Sequence, residues 1–290
     1  MEWGRSSREK LTDVTPRPLL LATLDGYAVE GGFDGTFLPA TCYSPTVALG
    51  RHDGPGEALD LWHHYEDVLD VVPNLGIDGI RLTLEWARLE PRPGEVNEAA
   101  YERYKEVIAH AHAQQLHVTV VLIDAAWPSW LGLEAWLLPW VVPYVRTHVQ
   151  RTLEYLGDSV DGVVGFARAT SFVNDGYLLG TSPPWRKDAR DDAASAKKQL
   201  GSLAALMRDD ASMGEKWVSN FHEVPANITA KAMRELVGDA GGAQEIHLRS
   251  LTDGLGPTKG PSGLLVNDEG AWRVRANPEL LSFFSEFILG

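Results

Sequence analysis

Six short apolar runs, at residues 17–23, 79–84, 118–123, 160–168, 216–221 and 245–251, alternate with stretches whose apolar residues recur at helical spacing. That rhythm suits parallel strand-helix-strand units, with helices covering the sheet, better than any all-α or all-β arrangement. The first helical stretch, residues 58–75, spaces Trp62, Tyr65, Val68, Leu69 and Val72 along one face and stops at Gly76, a residue that tolerates the left-handed backbone past a helix end. Asn97 is placed to cap the second, which runs through Tyr101, Tyr104 and Ile108 to about Gln115. Further helices are expected at 139–156, 193–207 and 228–237, the last capped by Asn227. A hairpin-like pair around residues 267–270 and an amphipathic helix at 278–289 close the chain, and residues 1–15 read as a polar, flexible arm.

A chain of 290 residues with 44% hydrophobic content can bury one full core, so a single domain over 1–290 is expected. The formal charge of −14 argues against nucleic acid or an anionic membrane surface as a partner, since both need a positive face. Cys42 is the lone cysteine, which excludes an internal disulfide or a cysteine metal cluster and suits a reducing compartment. Residues 1–15 lack the apolar run of a signal peptide, and no segment holds the ~18 apolar residues of a membrane span. These features lead us to expect a cytoplasmic protein. No glycine-rich phosphate loop, nucleophile elbow or metal-ligand spacing occurs, so we expect no cofactor and no metal, and a small molecule as partner.

Several motifs then carry a resemblance. Tyr27-Ala28-Val29-Glu30-Gly31 is similar to Tyr-Gln-Ile-Glu-Gly of the family 1 glycoside hydrolases, the β-glucosidases, with Ala28 in place of the sugar-binding Gln. DLWHHYEDV at 60–68 resembles that family's DHYHRYxEDV, and RLTLEWARLEP at 81–91 its RFSISWSRxxP. Residues 121–128 resemble the third-strand signature Leu-Tyr-His-Trp-Asp-Leu-Pro, with Asp124 and Ala125 in place of the His and Trp. Trp136-Leu137, Leu156-Gly157-Asp158 and Gly176-Tyr177 also fit, and Ser250, Leu251 and Asp253 resemble part of the last-strand motif. The resemblance covers nearly the whole chain and implies an α/β, TIM-barrel-like (β/α) barrel. Between Phe221 and Glu245 there is room for one helix where the family has two further strands, so the barrel should be shortened to about six strands.

The departures from the family bear on chemistry. Its fourth strand ends in Asn-Glu-Pro, whose Glu is the catalytic acid, and here the same place reads Ala167-Arg168-Ala169. A guanidinium cannot release a proton at any useful pH. The nucleophile motif Thr-Glu-Asn-Gly occurs nowhere in the 290 residues. Retaining glycosidases need both carboxylates, so the resemblance implies a scaffold without glycosidase activity.

Charged groups nevertheless stand at strand ends, which line the functional face of such a barrel. Asp124 follows an apolar strand, and the family arrangement makes Arg168 its neighbour; the two form either a structural ion pair or a ligand clamp. Arg81 either serves a site or pairs structurally with Glu30, Asp124 or Glu85. Asn220, His222 and Glu223, at the next expected strand end, offer an imidazole beside a carboxylate, the composition of a general base; a solvated rim histidine is the alternative. Trp127, Trp130, Trp136 and Trp140 either pack the core or form a stacking platform. His63, His64, His110 and His112 sit on helices and read as surface or packing residues. Two functions fit. One is a repurposed enzyme acting on a small organic molecule by acid-base chemistry such as cyclisation, elimination or non-glycosidic hydrolysis, in specialised metabolism. Its catalytic groups would be Asp124, Arg168, His222 and Glu223, with Glu30, Arg81, Glu85, Trp127, Asn220 and Asp253 contacting substrate. The other is a pseudoenzyme that keeps the barrel as a binding platform.

Overall fold

Strands β1 (Leu19–Leu24), β2 (Gly79–Thr83), β3 (His117–Ile123), β4 (Gly162–Phe166), β5 (Phe221–Pro225) and β6 (Glu245–Arg249) form one sheet in the order β4-β3-β2-β1-β6-β5. Every neighbouring pair is parallel. The computed structural model describes residues 18–33, 38–208, 216–218, 221–225, 244–249, 265–268 and 271–274. Among them the parallel sheet has six strands, the shortened barrel expected from the sequence. The sheet curls on itself: the Val218 amide donates to the Val163 carbonyl at 2.9 Å, and Trp217 bridges Val163 in parallel. The segment just ahead of β5 therefore lies along β4, at the other end of the strand order.

The longer helices among the described residues pack outside: α1 (Leu61–Val71), α2 (Glu98–Ala113), α3 (Val141–Leu156) and α4 (Arg190–Arg208). Their ends follow the sequence signals. The Asn97 side chain accepts the Ala100 amide at 3.2 Å, closing an orphan donor at the start of α2. Gly76, at φ 66°, ends the single 3-10 turn that extends α1. β7 (Leu265–Asp268) and β8 (Ala271–Val274) pair antiparallel as the expected hairpin. The expected arm at 1–15 and the helices at 228–237 and 278–289 lie outside the described residues. Among the described residues, no helix is long and apolar enough to cross a membrane.

One register differs from expectation. The strand read at 216–221 begins at Phe221 and runs to Pro225, so His222 and Glu223 lie within β5, opposite Ile246 and His247, instead of at a strand end. An apolar run marks where a strand lies but not where its pairing starts, which the neighbouring strand decides. Asn220, expected beside them, and Asp253 lie outside the described residues.

Alternation along each strand separates two faces. Leu20, Ala22 and Leu24 of β1, Ile80 and Leu82 of β2, Val118, Val120 and Leu122 of β3, and Ile246 and Leu248 of β6 join the helices in the main apolar core. At about 1.5–3 kcal/mol for each fully buried large side chain, this layer supplies most of the driving force. The intervening residues include Thr23, Arg81, Thr83, Thr119, Glu245 and His247, all buried and all polar. The inside of the barrel is thus largely a hydrogen-bonded network, with Val121, Val164, Val218 and Phe221 forming a small apolar cluster.

The interior is narrow enough for strands distant in the order to touch. Thr119 of β3 donates to Glu245 Oε1 of β6 at 2.6 Å, three strands away in the sheet. Glycine at 162 keeps this span open, since a Cβ there would lie 2.4 Å from Thr119 Oγ1 and 3.1 Å from Glu245 Oε1. His247 Nε2 sits 2.6 Å from Glu245 Oε2, and His117 Nε2 lies 3.5 Å from Oε1. Burial opposes the charge on Glu245, but hydrogen bonds from His117, His247 and Thr119 outweigh it and hold its carboxyl at about 2, below the ordinary 4.5. A depressed folded value means stability that is complete above the unfolded value and is lost as pH falls through the folded one. We expect Glu245→Gln to forfeit on the order of 3 kcal/mol at neutral pH, by the free-energy equivalent of the shift. The gap to the wild type should close as pH falls from about 4.5 towards about 2. Urea unfolding across that range checks it; a gap independent of pH would remove Glu245 from the account of acid stability.

Candidate functional site

On four consecutive strands, three at or just past the carboxyl end and one within, the chain sets four charges of alternating sign. Asp25 follows β1, Arg81 lies within β2, Asp124 follows β3 and Arg168 stands two residues past β4. Arg81 Nη1 donates to Asp25 Oδ1 at 2.9 Å and Nη2 to Asp124 Oδ2 at 3.2 Å. Arg168 Nε and Nη2 both donate to Asp124 Oδ1, at 3.1 and 2.9 Å, and Nη1 lies 3.5 Å from Asp25 Oδ2. Each acid therefore faces both bases, and the quartet sums to zero charge. Asp124 also accepts from Thr83 Oγ1 at 3.4 Å and from the Ala125 amide at 2.7 Å. Burial disfavours the Asp25 carboxylate, yet Arg81 and Arg168 beside it prevail and hold it below the usual carboxylate range.

The quartet has a depth gradient. The Arg81 side chain is 0% exposed and that of Asp124 4%, whereas those of Arg168 and Asp25 are 24% and 23% exposed. Arg168 is thus the cation at the mouth and Arg81 the one below it. Arg168 has left-handed backbone, φ 53° and ψ 31°, ahead of the short helix Ala169–Val173. A non-glycine residue there is uncommon, and such positions recur at functional sites.

An aromatic wall adjoins the charges. Tyr43, which senses the charge of both Arg168 and Asp124, stacks on Tyr27 at 4.7 Å and on His52 at 5.5 Å. Trp185 meets Tyr43 edge-on at 5.8 Å and His52 at 5.2 Å. His52 comes from the loop ahead of Gly56, so that loop reaches the mouth.

The other expected site residues fall elsewhere. Glu30 is buried beneath the loops, where it accepts from Arg88 Nε at 2.8 Å and from the Tyr104 hydroxyl at 2.6 Å. Its partner is therefore Arg88, whose guanidinium also lies 4.0 Å from the Trp62 ring centre, and not Arg81. Glu85 is likewise buried, and its Oε1 accepts the Tyr27 amide at 2.7 Å. Burial, followed by the negative charge of Glu30, pushes the Glu85 carboxyl well above the usual carboxylate range. Glycine at 26 makes room for it, because a Cβ would sit 2.5 Å from Glu85 Cγ. Trp127, expected to contact substrate, is 0% exposed. Its Nε1 donates to the Gly132 carbonyl at 3.0 Å, and its ring meets Trp136 and Phe172 edge-on at 5.7 and 5.5 Å. A ring enclosed in this way packs the core and offers no free face.

Asp25 is the member of the quartet that sequence reasoning missed. It reads as the first half of an Asp-Gly turn, yet it is also a lone charge ending an apolar strand, the signal that singled out Asp124 and Arg168. Among the described residues no cluster of three or more His, Cys, Asp or Glu side chains could hold a metal ion.

Comparison with known proteins agrees with this architecture. The family model of Glycosyl hydrolase family 1 matches residues 27–221, more than half of the chain. A coniferin beta-glucosidase of Pinus contorta is 27% identical over 178 residues, 58% of this chain and 34% of its own length. A 6-phospho-beta-galactosidase of Clostridium acetobutylicum is 29% identical over 137 residues, 47% of this chain and 29% of its own length. The chain thus spans about a third of the length of these curated relatives. Among solved structures, a beta-glycosidase from Pyrococcus horikoshii superposes with a TM-score of 0.59 at 21% identity, covering 77% of this chain and 52% of the other, which speaks for the fold alone. The curled parallel sheet and the family model matching residues 27–221 lead to one assignment: the chain belongs to glycosyl hydrolase family 1, on a shortened barrel.

Proposed function

We propose that this chain does not hydrolyse glycosides and that its barrel mouth takes a small organic molecule, on which it acts by acid-base chemistry such as cyclisation, elimination or non-glycosidic hydrolysis. The observation that carries the reading is the Arg168 guanidinium, bonded to Asp124 at 2.9 Å where the family's proton donor would stand. A permanent cation at that place steadies negative charge on a ligand or transition state and cannot supply a proton. Proton movement then falls to Asp124 after β3, or to His222 or Glu223 within β5.

A second reading is favoured by a specific feature of the mouth. The quartet satisfies its own charges, and His52 stacks on Tyr43 and meets Trp185 at a tilt, so the chain also suits a binding protein that has given up chemistry. Fold by itself does not choose between the two.

Two assays test the proposal. Purified protein should hydrolyse an aryl β-glucoside no faster than buffer; turnover abolished by changing a single carboxylate would overturn the non-glycosidase reading. A thermal-shift screen of small organic acids and their neutral analogues should find ligands whose stabilisation disappears in Arg168→Ala. Conversion of such a ligand to product separates the enzyme from the binding protein.

A further inference from the structure

Below the quartet the barrel holds a second polar cluster that the reading above does not use. Glu245 and His247 open β6, and both point inward, since Ile246 and Leu248 between and beyond them join the outer core. His247 is 0% exposed and stacks on Phe221 at 4.6 Å. A carboxyl held at about 2 is ionised at neutral pH and can only accept, so the 2.6 Å contact requires His247 Nε2 to carry a hydrogen. Burial keeps the imidazole below its usual range in spite of Glu245, which leaves one proton on the ring. Nδ1 is therefore a bare lone pair, buried and without a protein partner.

The neighbouring strand has a matching atom. Thr23 of β1 is 3% exposed, and its hydroxyl is also buried with no protein partner. The register pairs Leu21 with His247, so Thr23 sits two residues further along the same inner face. That separates the two backbones by roughly 8 Å, with both residues on the inner face of the sheet. Arg81 stands directly opposite Thr23 on β2, and both Arg81 and Asp25 act electrostatically on His247. Orphaned buried polar atoms are costly, and buried solvent is what ordinarily satisfies them.

We propose that the lower barrel is a built water site, in which the Glu245-oriented imidazole of His247 and the hydroxyl of Thr23 hold one solvent molecule beneath the Asp25, Arg81, Asp124 and Arg168 quartet. The water donates one hydrogen to His247 Nδ1, and the Thr23 hydroxyl supplies its second protein contact. Together with Thr119 and Glu245 it extends the hydrogen-bonded interior from the floor of the barrel towards the mouth. The site stands independently of any activity at the mouth.

Nitrogen-15 and water-contact NMR on the 290-residue chain tests this. At neutral pH His247 should show the singly protonated ring with its hydrogen on Nε2. Long-lived water should give cross-relaxation to the His247 ring protons and the Thr23 side chain. Thr23→Val keeps the shape of the side chain while removing the hydroxyl, and should abolish or strongly shorten the water signal at His247. A doubly protonated ring, a hydrogen on Nδ1, or wild-type resonances without any water contact would each overturn the proposal. So would a Thr23→Val variant whose His247 water signal is unchanged.

Discussion

Replacing Arg81 with alanine should destabilise the fold by about 3–5 kcal/mol, the cost of stripping a buried ion of its partner. The side chain is fully enclosed and serves two carboxylates, Asp25 at 2.9 Å and Asp124 at 3.2 Å. Its removal leaves two acids facing one guanidinium at the more exposed end of the site. Arg168→Ala should cost less, about 1–3 kcal/mol, because Asp124 then keeps Arg81, Thr83 Oγ1 and the Ala125 amide. The pH dependence separates charge from packing. Asp25 has a folded value below 3.8, so its contribution is complete above 3.8 and fades as pH drops through the lower folded value. Arg81→Ala removes that contribution, and the deficit should therefore shrink in acid. Urea unfolding of both variants at neutral and acid pH measures it. A smaller loss for Arg81→Ala than for Arg168→Ala would contradict the depth order of the quartet.

Trp127→Ala should destabilise the protein by about 3–5 kcal/mol through loss of buried contact and the cavity left behind. The ring has no solvent-exposed surface and sits among Trp136, Phe172 and the Gly132 carbonyl. The loss should be the same with and without any mouth ligand, and Trp127→Phe should restore part of it. Calorimetric unfolding is the readout. A near-normal melting temperature for Trp127→Ala, accompanied by lost ligand binding, would return Trp127 to the substrate-contacting role suggested by its position after β3.

The quartet shows how four charges on neighbouring strands can be held inside a barrel without leaving bare charge. A carboxylate and a guanidinium on adjacent strands are each expensive to bury alone, and mutual attraction offsets that expense when the geometry is good. Bonds of 2.9–3.2 Å across four strands, with the signs alternating, meet that condition.

The parts of this protein readable from sequence are those governed by local chemistry. Apolar runs bounded by turns marked the strands, helical spacing marked α1 to α4, and Asn97 and Gly76 marked their ends, since each signal acts within a few residues of itself. Set against the family's two further strands there, the short stretch between Phe221 and Glu245 also reduced the expected strand count, because chain length limits what can be built. The adjacency of Asp124 and Arg168 was expected from the family resemblance, which makes their strands neighbours, and lone charges ending neighbouring parallel strands converge on one face of a barrel. Tertiary structure decided which partner each charge takes. Arg81 had Glu30, Asp124 and Glu85 as candidates and pairs with Asp124 and with Asp25, which passed as a turn residue. Strand alternation tells which face a side chain uses but not how the sheet curls, and curvature determines which side chains meet across the interior. For the same reason the starting point of β5, the enclosure of Trp127, and the contact of Glu245 with Thr119 three strands away arise only when the sheet closes upon itself.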